Sequence, residues 1–233
     1  MRTIEYRVEN KYLISDYELT VIAHRLKELM EYDSHQQEGR YEIRSVYFDD
    51  IFDACLDEND AGVDSRRKYR IRSYGPDFSL IRLEIKEKES GFTRKRSCKI
   101  SAEEYELLLT GANELGFGDR GALNEFVFQS RCRGLRPKTL IKYERTAFVY
   151  PSGNVRITFD RNITASRGYD DFFKRHVGGL VPVLPAGMHV LEVKYDELLP
   201  DVIAQLLETG KLQKTAFSKY YLGRLAVNGN SVY

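Results

Sequence analysis

Tryptophan is absent from this sequence of 233 residues, cysteine occurs three times and proline six times, and neither sign of charge predominates. Each scarcity closes off a class of protein. Cys55, Cys98 and Cys132 lie far apart without metal-ligand spacing, which excludes a disulfide scaffold and fits a reducing compartment. A formal net charge of +1 excludes a generally basic nucleic-acid binder. No apolar run approaches the length of a membrane span. The N-terminus enters charged sequence at once through Arg2, Glu5, Arg7, Glu9 and Lys11, so no signal peptide is read. His24, His35, His176 and His189 show no ligand spacing. Nothing resembling an internal repeat or a Pro/Gly-rich linker divides the chain. The expectation is a single cytoplasmic domain over residues 1–233.

What is present is a globular composition, 42% hydrophobic and 30% charged, long enough to bury a sizeable core. Alternation of period two predicts strands at Ile4 to Ile14, Tyr41 to Phe48, Lys68 to Tyr74, Leu80 to Lys88 and Thr93 to Ile100. Three more follow at Leu140 to Tyr150, Asn154 to Arg161 and His189 to Tyr195. Gly75-Pro76-Asp77, Ser90-Gly91 and Pro151-Ser152-Gly153-Asn154 supply turns between them. Ser15 with Glu18, and Ser101 with Glu104, are capping boxes that open helices towards Met30 and Leu109. Glu197 to Thr209 and Thr215 to Val227 read as two further helices. Tyr169 to His176 reads as a lid or a solvated surface helix. The fold class is α+β, a mainly antiparallel barrel with helices packed on its outside.

Strand geometry sends alternate side chains to opposite faces. Lys68, Arg70 and Arg72 therefore share a face, as do Arg82, Glu84, Lys86 and Lys88. Glu5, Arg7, Glu9 and Lys11 oppose Tyr6, Val8 and Tyr12, and Glu192 with Lys194 opposes Leu191, Val193 and Tyr195. Half-buried antiparallel strands commonly turn such charged faces to water. Here the charged faces are biased to Arg and Lys, and helices are available to cover the apolar faces instead. Periodicity alone is compatible with both arrangements.

A succession of short motifs bears on the choice. Arg7-Val8-Glu9-Asn10-Lys11-Tyr12, Ser45-Val46-Tyr47-Phe48-Asp49, Lys68-Tyr69-Arg70-Ile71-Arg72-Ser73-Tyr74-Gly75 and Glu84-Ile85-Lys86 come first. Lys142-Tyr143-Glu144-Arg145-Thr146-Ala147-Phe148, Val155-Arg156-Ile157-Thr158-Phe159-Asp160, Leu191-Glu192-Val193-Lys194-Tyr195 and Phe217-Ser218-Lys219-Tyr220 follow. In this order, and over nearly the whole chain, they resemble the VTC domain. That domain is the catalytic domain of vacuolar transporter chaperone polyphosphate polymerases, in the CYTH-like triphosphate tunnel superfamily.

The resemblance implies an antiparallel tunnel with inward charged faces. It implies phosphate-binding catalytic cations at Lys11, Arg70, Arg72, Lys86, Arg145, Arg156 and Lys219. Ser218, Lys95 and Arg7 are implied as further substrate contacts, Lys95 subject to a one-residue register choice among Arg94, Lys95 and Arg96. Glu192 is implied as ligand to Mn2+ or Mg2+, with Glu9 and Glu84 as orienting carboxylates beside it. The residue types suit the chemistry, because Arg offers planar bidentate donors to phosphate oxygens and phosphoryl transfer rests mainly on positioning and charge. The implied partners are ATP and inorganic polyphosphate or phosphate. Hydrolytic relatives open with Glu-x-Glu-x-Lys; here Arg7 stands at the first glutamate, which favours a polymerase over a triphosphatase, with a non-catalytic polyphosphate-binding module as a further alternative. The regulatory N-terminal domain and membrane tail of the eukaryotic subunits are not found in this sequence, so a membrane-embedded export partner is expected only by analogy. Nucleic acid is disfavoured as a ligand, on the expectation that the tyrosines alternate away from the cations.

Overall fold

The computed structural model describes residues 7–229 except 35, 37, 38, 76, 90, 91 and 211. The first residues of the predicted N-terminal strand, His35, Pro76 and the Ser90-Gly91 turn lie outside the described residues. Ten strands are β1 (Val8–Ser15), β2 (Glu31–Tyr32), β3 (Tyr41–Asp49), β4 (Arg66–Tyr74), β5 (Leu80–Glu89), β6 (Phe92–Lys99), β7 (Arg136–Tyr150), β8 (Val155–Ser166), β9 (Val181–Pro182) and β10 (Met188–Tyr195). Six helices are α1 (Asp16–Lys27), α2 (Ala54–Asp60), α3 (Ala102–Leu109), α4 (Gly121–Arg133), α5 (Asp201–Leu207) and α6 (Lys219–Val227). The strands form one antiparallel sheet in the order β1-β10-β8-β7-β3-β4-β5-β6, with β2 added to β7 and β9 to β8. It curls so far that Glu9 of β1 meets Lys86 of β5 at 3.3 Å, although no ladder joins β1 to β5 or β6 among the described residues.

The curl leaves apolar side chains on the convex face, and helices cover them. Leu19, Ile22 and Leu26 of α1, with Ile203 and Leu207 of α5, pack on Ile157, Phe159, Leu191 and Val193. Tyr105 and Leu108 of α3, with Leu123, Phe126 and Val127 of α4, cover Tyr69, Ile71, Leu83 and Ile85. Burying a Leu, Ile or Phe side chain is worth roughly 1.5–3 kcal/mol, so this convex face supplies much of the folding drive. Both capping boxes form, with the Ser15 and Ser101 amides donating to Glu18 and Glu104 at 2.9 Å each.

The last helix behaves differently. Residues 214–217 are extended: Lys214 bridges to Tyr12, and the Thr215 amide donates to the Lys11 carbonyl at 2.9 Å. The helix predicted from Thr215 therefore starts at Lys219, with Ser218 as its N-cap. It closes one end of the barrel from the concave side, where Tyr220 stacks on Tyr47 at 5.4 Å between ring centroids. A Cβ on Gly223 would stand 2.2 Å from Cδ1 of Ile141, so glycine is what admits the helix so close to β7.

The stretch from Tyr169 to His176 is neither a lid nor a surface helix. Arg44, buried on β3, donates to the carbonyls of Asp171, Phe172, Lys174 and Arg175. Phe172 is fully buried and stacks on Tyr105 at 4.5 Å, and the Tyr105 hydroxyl donates to the Tyr169 carbonyl at 2.7 Å. The segment is fastened to the barrel. Among the described residues no helix is long and apolar enough to cross a membrane.

Candidate functional site

Alternate residues of eight strands face the concavity, and the pairing registers fix which ones. Reading across the sheet, Lys11 lies opposite Glu192, Asp160 opposite Arg145, Ser45 opposite Arg72, Arg70 opposite Glu84 and Lys86 opposite Lys95. Between β7 and β8 the register shifts at Lys142/Glu144, where Asn162 takes the left-handed φ of 51°. That irregularity keeps Asp160 in step with Arg145. The sidedness left open by periodicity is thus decided in favour of an inward charged face.

Four carboxylates hold the cations apart. Arg145 grips Asp160 with two hydrogen bonds of 2.6 and 2.8 Å, and Lys219 reaches the same carboxylate at 2.6 Å. Burial would raise the Asp160 pKa, but Arg145 and Lys219 bring it down to about 2. Glu84 takes Arg70 Nε at 2.6 Å and is also paired with Lys95. There too burial opposes and Arg70, Arg72 and Lys95 prevail, placing the carboxyl far below its ordinary range. Glu9 and Glu192 form the third group: Lys11 lies 2.9 Å from Glu9 and 3.8 Å from Glu192, and Lys194 lies 3.2 Å from Glu192. Burial would raise Glu192 as well, yet Lys194 and Lys11 pull it well down. Burial and the Glu192 charge push Glu9 up, and Lys194 and Lys11 outweigh them.

The structure brings together Lys11, Arg70, Arg72, Lys86, Lys95, Arg145, Lys219 and Ser218 on the concave side. Arg156 joins them at the margin, held by Asp33 at 2.6 Å and near the Tyr41 hydroxyl at 3.4 Å. Arg7 stands apart, engaged by Asp196 at 3.6 Å and by the Asn154 carbonyl. Of the three implied metal carboxylates, Glu9 and Glu192 adjoin, while Glu84 is committed to Arg70 and Lys95. Among the described residues no group of three or more His, Cys, Asp or Glu side chains converges on one point.

Some members were not anticipated. Lys194 bridges Glu9 and Glu192, and Asp160 anchors two cations. Lys68 donates to Asn59 Oδ1 at 2.6 Å and to Ser218 Oγ at 2.9 Å. Burial, followed by Arg66, Lys11, Lys86 and Arg70, lowers its pKa to about 7. The tyrosines also depart from expectation. Tyr47 and Tyr143 lie on the cation side: the Tyr47 hydroxyl accepts from Arg70 at 3.2 Å, and Arg145 and Lys219 lie over the Tyr143 ring at 5.4 and 5.0 Å. Tyr143 follows Lys142 and precedes Glu144, so its own parity, not that of its charged neighbours, was the signal for it.

An antiparallel sheet rolled into a half-barrel around a polar, cation-rich concavity defines a triphosphate-tunnel type of protein. Within that class, a family profile for the VTC domain matches residues 6–228, and this chain belongs to that family. Among solved structures, a Bacillus halodurans protein (bh2851) proposed to be an adenylate cyclase shares the fold, with TM-score 0.56, 14% identity and coverage of 92% of this chain and 94% of that one. The PH1819 protein of Pyrococcus horikoshii OT3 gives TM-score 0.45 at 16% identity, covering 87% of this chain and 84% of its own. The inorganic triphosphatase NE1496 gives 0.36 at 12% identity, covering 94% and 97%. No curated protein matches this chain.

Proposed function

We propose that this chain is a metal-dependent polyphosphate polymerase that moves the γ-phosphoryl group of ATP onto a growing polyphosphate chain. The observation that carries the reading is convergence: cations from β1, β4, β5, β6, β7, β10 and α6 face one concavity, several of them buried. An ionised terminal oxygen of the acceptor chain attacks the γ-phosphorus, the bond to the β–γ bridging oxygen breaks, and ADP leaves with that oxygen. The acceptor carries no proton, so no base is required. In this reading Arg72, Arg145 and Lys219 bind the equatorial oxygens and stabilise the charge spread over them. Ser218, whose hydroxyl caps α6, adds a neutral donor at the same place.

The residues present fit a hard divalent cation at one spot. Glu9 and Glu192 are adjacent and repel one another, and Mg2+ or Mn2+ is commonly held by one or two carboxylates with phosphate oxygens completing the shell. When bound, the metal would neutralise part of the phosphate charge. Glu84 is paired with Arg70 and Lys95, and in this reading it orients those cations beside the metal.

Hydrolysis in the same tunnel is the second reading, favoured by Lys68 alone. In the unliganded site this lysine is half neutral near pH 7, and hydrolysis requires it to stay neutral beside the bound phosphates so that it can accept the proton an attacking water must lose. Incubating the protein with ATP and Mn2+ or Mg2+ tests both. Polymerisation predicts a long anionic product on a gel with matching ADP, and Arg72→Ala lowers the rate roughly a hundredfold. Phosphate release without polymer, abolished by Lys68→Arg, selects hydrolysis. Binding without either product leaves a polyphosphate-binding module.

A further inference from the structure

Three cations stand side by side in cross-strand register on the concave face. Arg72 of β4 lies opposite Arg82 of β5, and Arg82 lies opposite Lys99 of β6. The cations of the neighbouring rows have carboxylate partners. In the adjacent row Arg70 lies opposite Glu84, and in the row beyond it Lys68, Lys86 and Lys95 face one another, with Lys86 paired to Glu9 and Lys95 to Glu84. Among the described residues no carboxylate lies in the Arg72 row or forms an ion pair with it. Arg72 donates to Ser45 Oγ at 3.0 Å and lies over the Tyr74 ring. Among the described residues neither Arg82 nor Lys99 has a side-chain hydrogen bond or an ion pair.

Like charges directly opposite on antiparallel strands repel across about 5 Å, so the row is a standing cost to the fold. It is also graded: Arg72 is buried, Arg82 half-buried and Lys99 exposed on the edge strand. An isolated surface lysine calls for no account. A line of cations that begins among the phosphate-binding residues, ends in water and has no ion-pair partner among the described residues does.

We propose that Arg72, Arg82 and Lys99 form a track along which a linear polyphosphate passes between the tunnel and the β6 edge. The ligand class follows from the row itself. It offers repeated positive charge at strand spacing, about 4.8 Å, and among the described residues neither Arg82 nor Lys99 lies against an aromatic ring that could stack a base. The proposal rests on the reading of the tunnel as a phosphate-chain site and requires no turnover.

The test compares tripolyphosphate with long-chain polyphosphate, measuring both affinities on the full chain. The wild type should favour the long chain. In the double variant Arg82→Gln with Lys99→Gln, long-chain affinity should fall about tenfold, the size expected for two part-exposed charge contacts, while tripolyphosphate affinity holds. Lys99→Gln alone, at an exposed edge that the fold does not depend on, should lose a smaller share in the same direction. The conservative pair Arg82→Lys with Lys99→Arg should keep the preference. Equal losses for both ligands, or none for either, overturn the track. Tripolyphosphate binding without a length preference in the wild type also removes the track but leaves the tunnel reading intact. Failure of the wild type to bind tripolyphosphate removes the tunnel reading itself.

Discussion

Lys68 has only neutral partners, Asn59 and Ser218, and it is ringed by charge of its own sign from three strands: Arg66 and Arg70 on β4, Lys86 on β5 and Lys11 on β1. The native group loses its proton near pH 7, whereas in the unfolded chain it does so near 10.5. Between those values the unfolded chain holds more protons, so the site's contribution to stability grows as pH rises and is smallest below pH 7. A bound polyanion reverses the preference by favouring the ammonium form. At pH 8 the wild type should therefore take up about 0.9 of a proton more on binding tripolyphosphate than Lys68→Arg does, with similar affinity. Calorimetry in two buffers of different ionisation enthalpy reads the difference; equal uptake in the two proteins would sink the idea. The charged face containing Lys68 was evident from alternation. Its contact with Ser218 was not, because the pattern from Thr215 onward reads as continuous helix while the chain there is pinned to β1.

At the scale of elements, one of the carboxylates that hold α6 also starts α2. Asp49, wholly buried, accepts from the amides of Asp50, Cys55 and Leu56 at 2.8, 2.9 and 3.0 Å and from the Tyr220 hydroxyl at 2.5 Å. Arg224 of the same helix holds Asp53 through two bonds of 2.9 and 2.8 Å. Asp49→Ala leaves the Leu56 amide with the Asp53 carbonyl at 2.9 Å but strands the Asp50 and Cys55 amides and the Tyr220 phenol, which should cost roughly 3–5 kcal/mol. Because α6 carries Ser218 and Lys219, tripolyphosphate binding should weaken in that variant even at temperatures where it remains folded. Denaturant melts beside binding titrations check both parts, and full affinity in a destabilised Asp49→Ala protein would refute the link. This cap also explains why α2 escaped the sequence reading. Its N-cap, Asp53, is left-handed at φ 58° and makes no capping bond, since the cap lies four residues upstream. In α4 the opening residue is Gly121 and Arg120 offers no side-chain cap, whereas α1 and α3 announce themselves by local Ser and Glu pairs. Strands were readable because period two survives in the sequence; sidedness was not, since it depends on which face the helices cover.

Over the whole molecule the charges nearly cancel to +1, yet they are not mixed. Among the described residues Lys11, Lys68, Arg70, Arg72, Lys86, Lys95, Arg145, Lys194 and Lys219 share the concavity with Glu9, Glu84, Asp160 and Glu192 as their ion-pair counter-charges. The acidic excess that balances them must lie outside. A half-barrel of this kind concentrates field lines in a low-dielectric cleft, so a polyanion relieves the internal repulsion as it binds. Linkage then makes the ligand a stabiliser: at about a hundred times Kd it adds roughly 2.7 kcal/mol, which for a chain of this size raises Tm by about 5–10 °C. The gain should shrink steeply with added salt. A single-stranded oligonucleotide of equal charge should give much less, because the Tyr47 and Tyr143 rings are buried against Tyr220 and the cations and present no free face to a base. Thermal melts with tripolyphosphate and with the oligonucleotide, each at low and high salt, separate these cases. Equal shifts from the two would mean that charge alone, and not the shape of the concavity, selects the ligand.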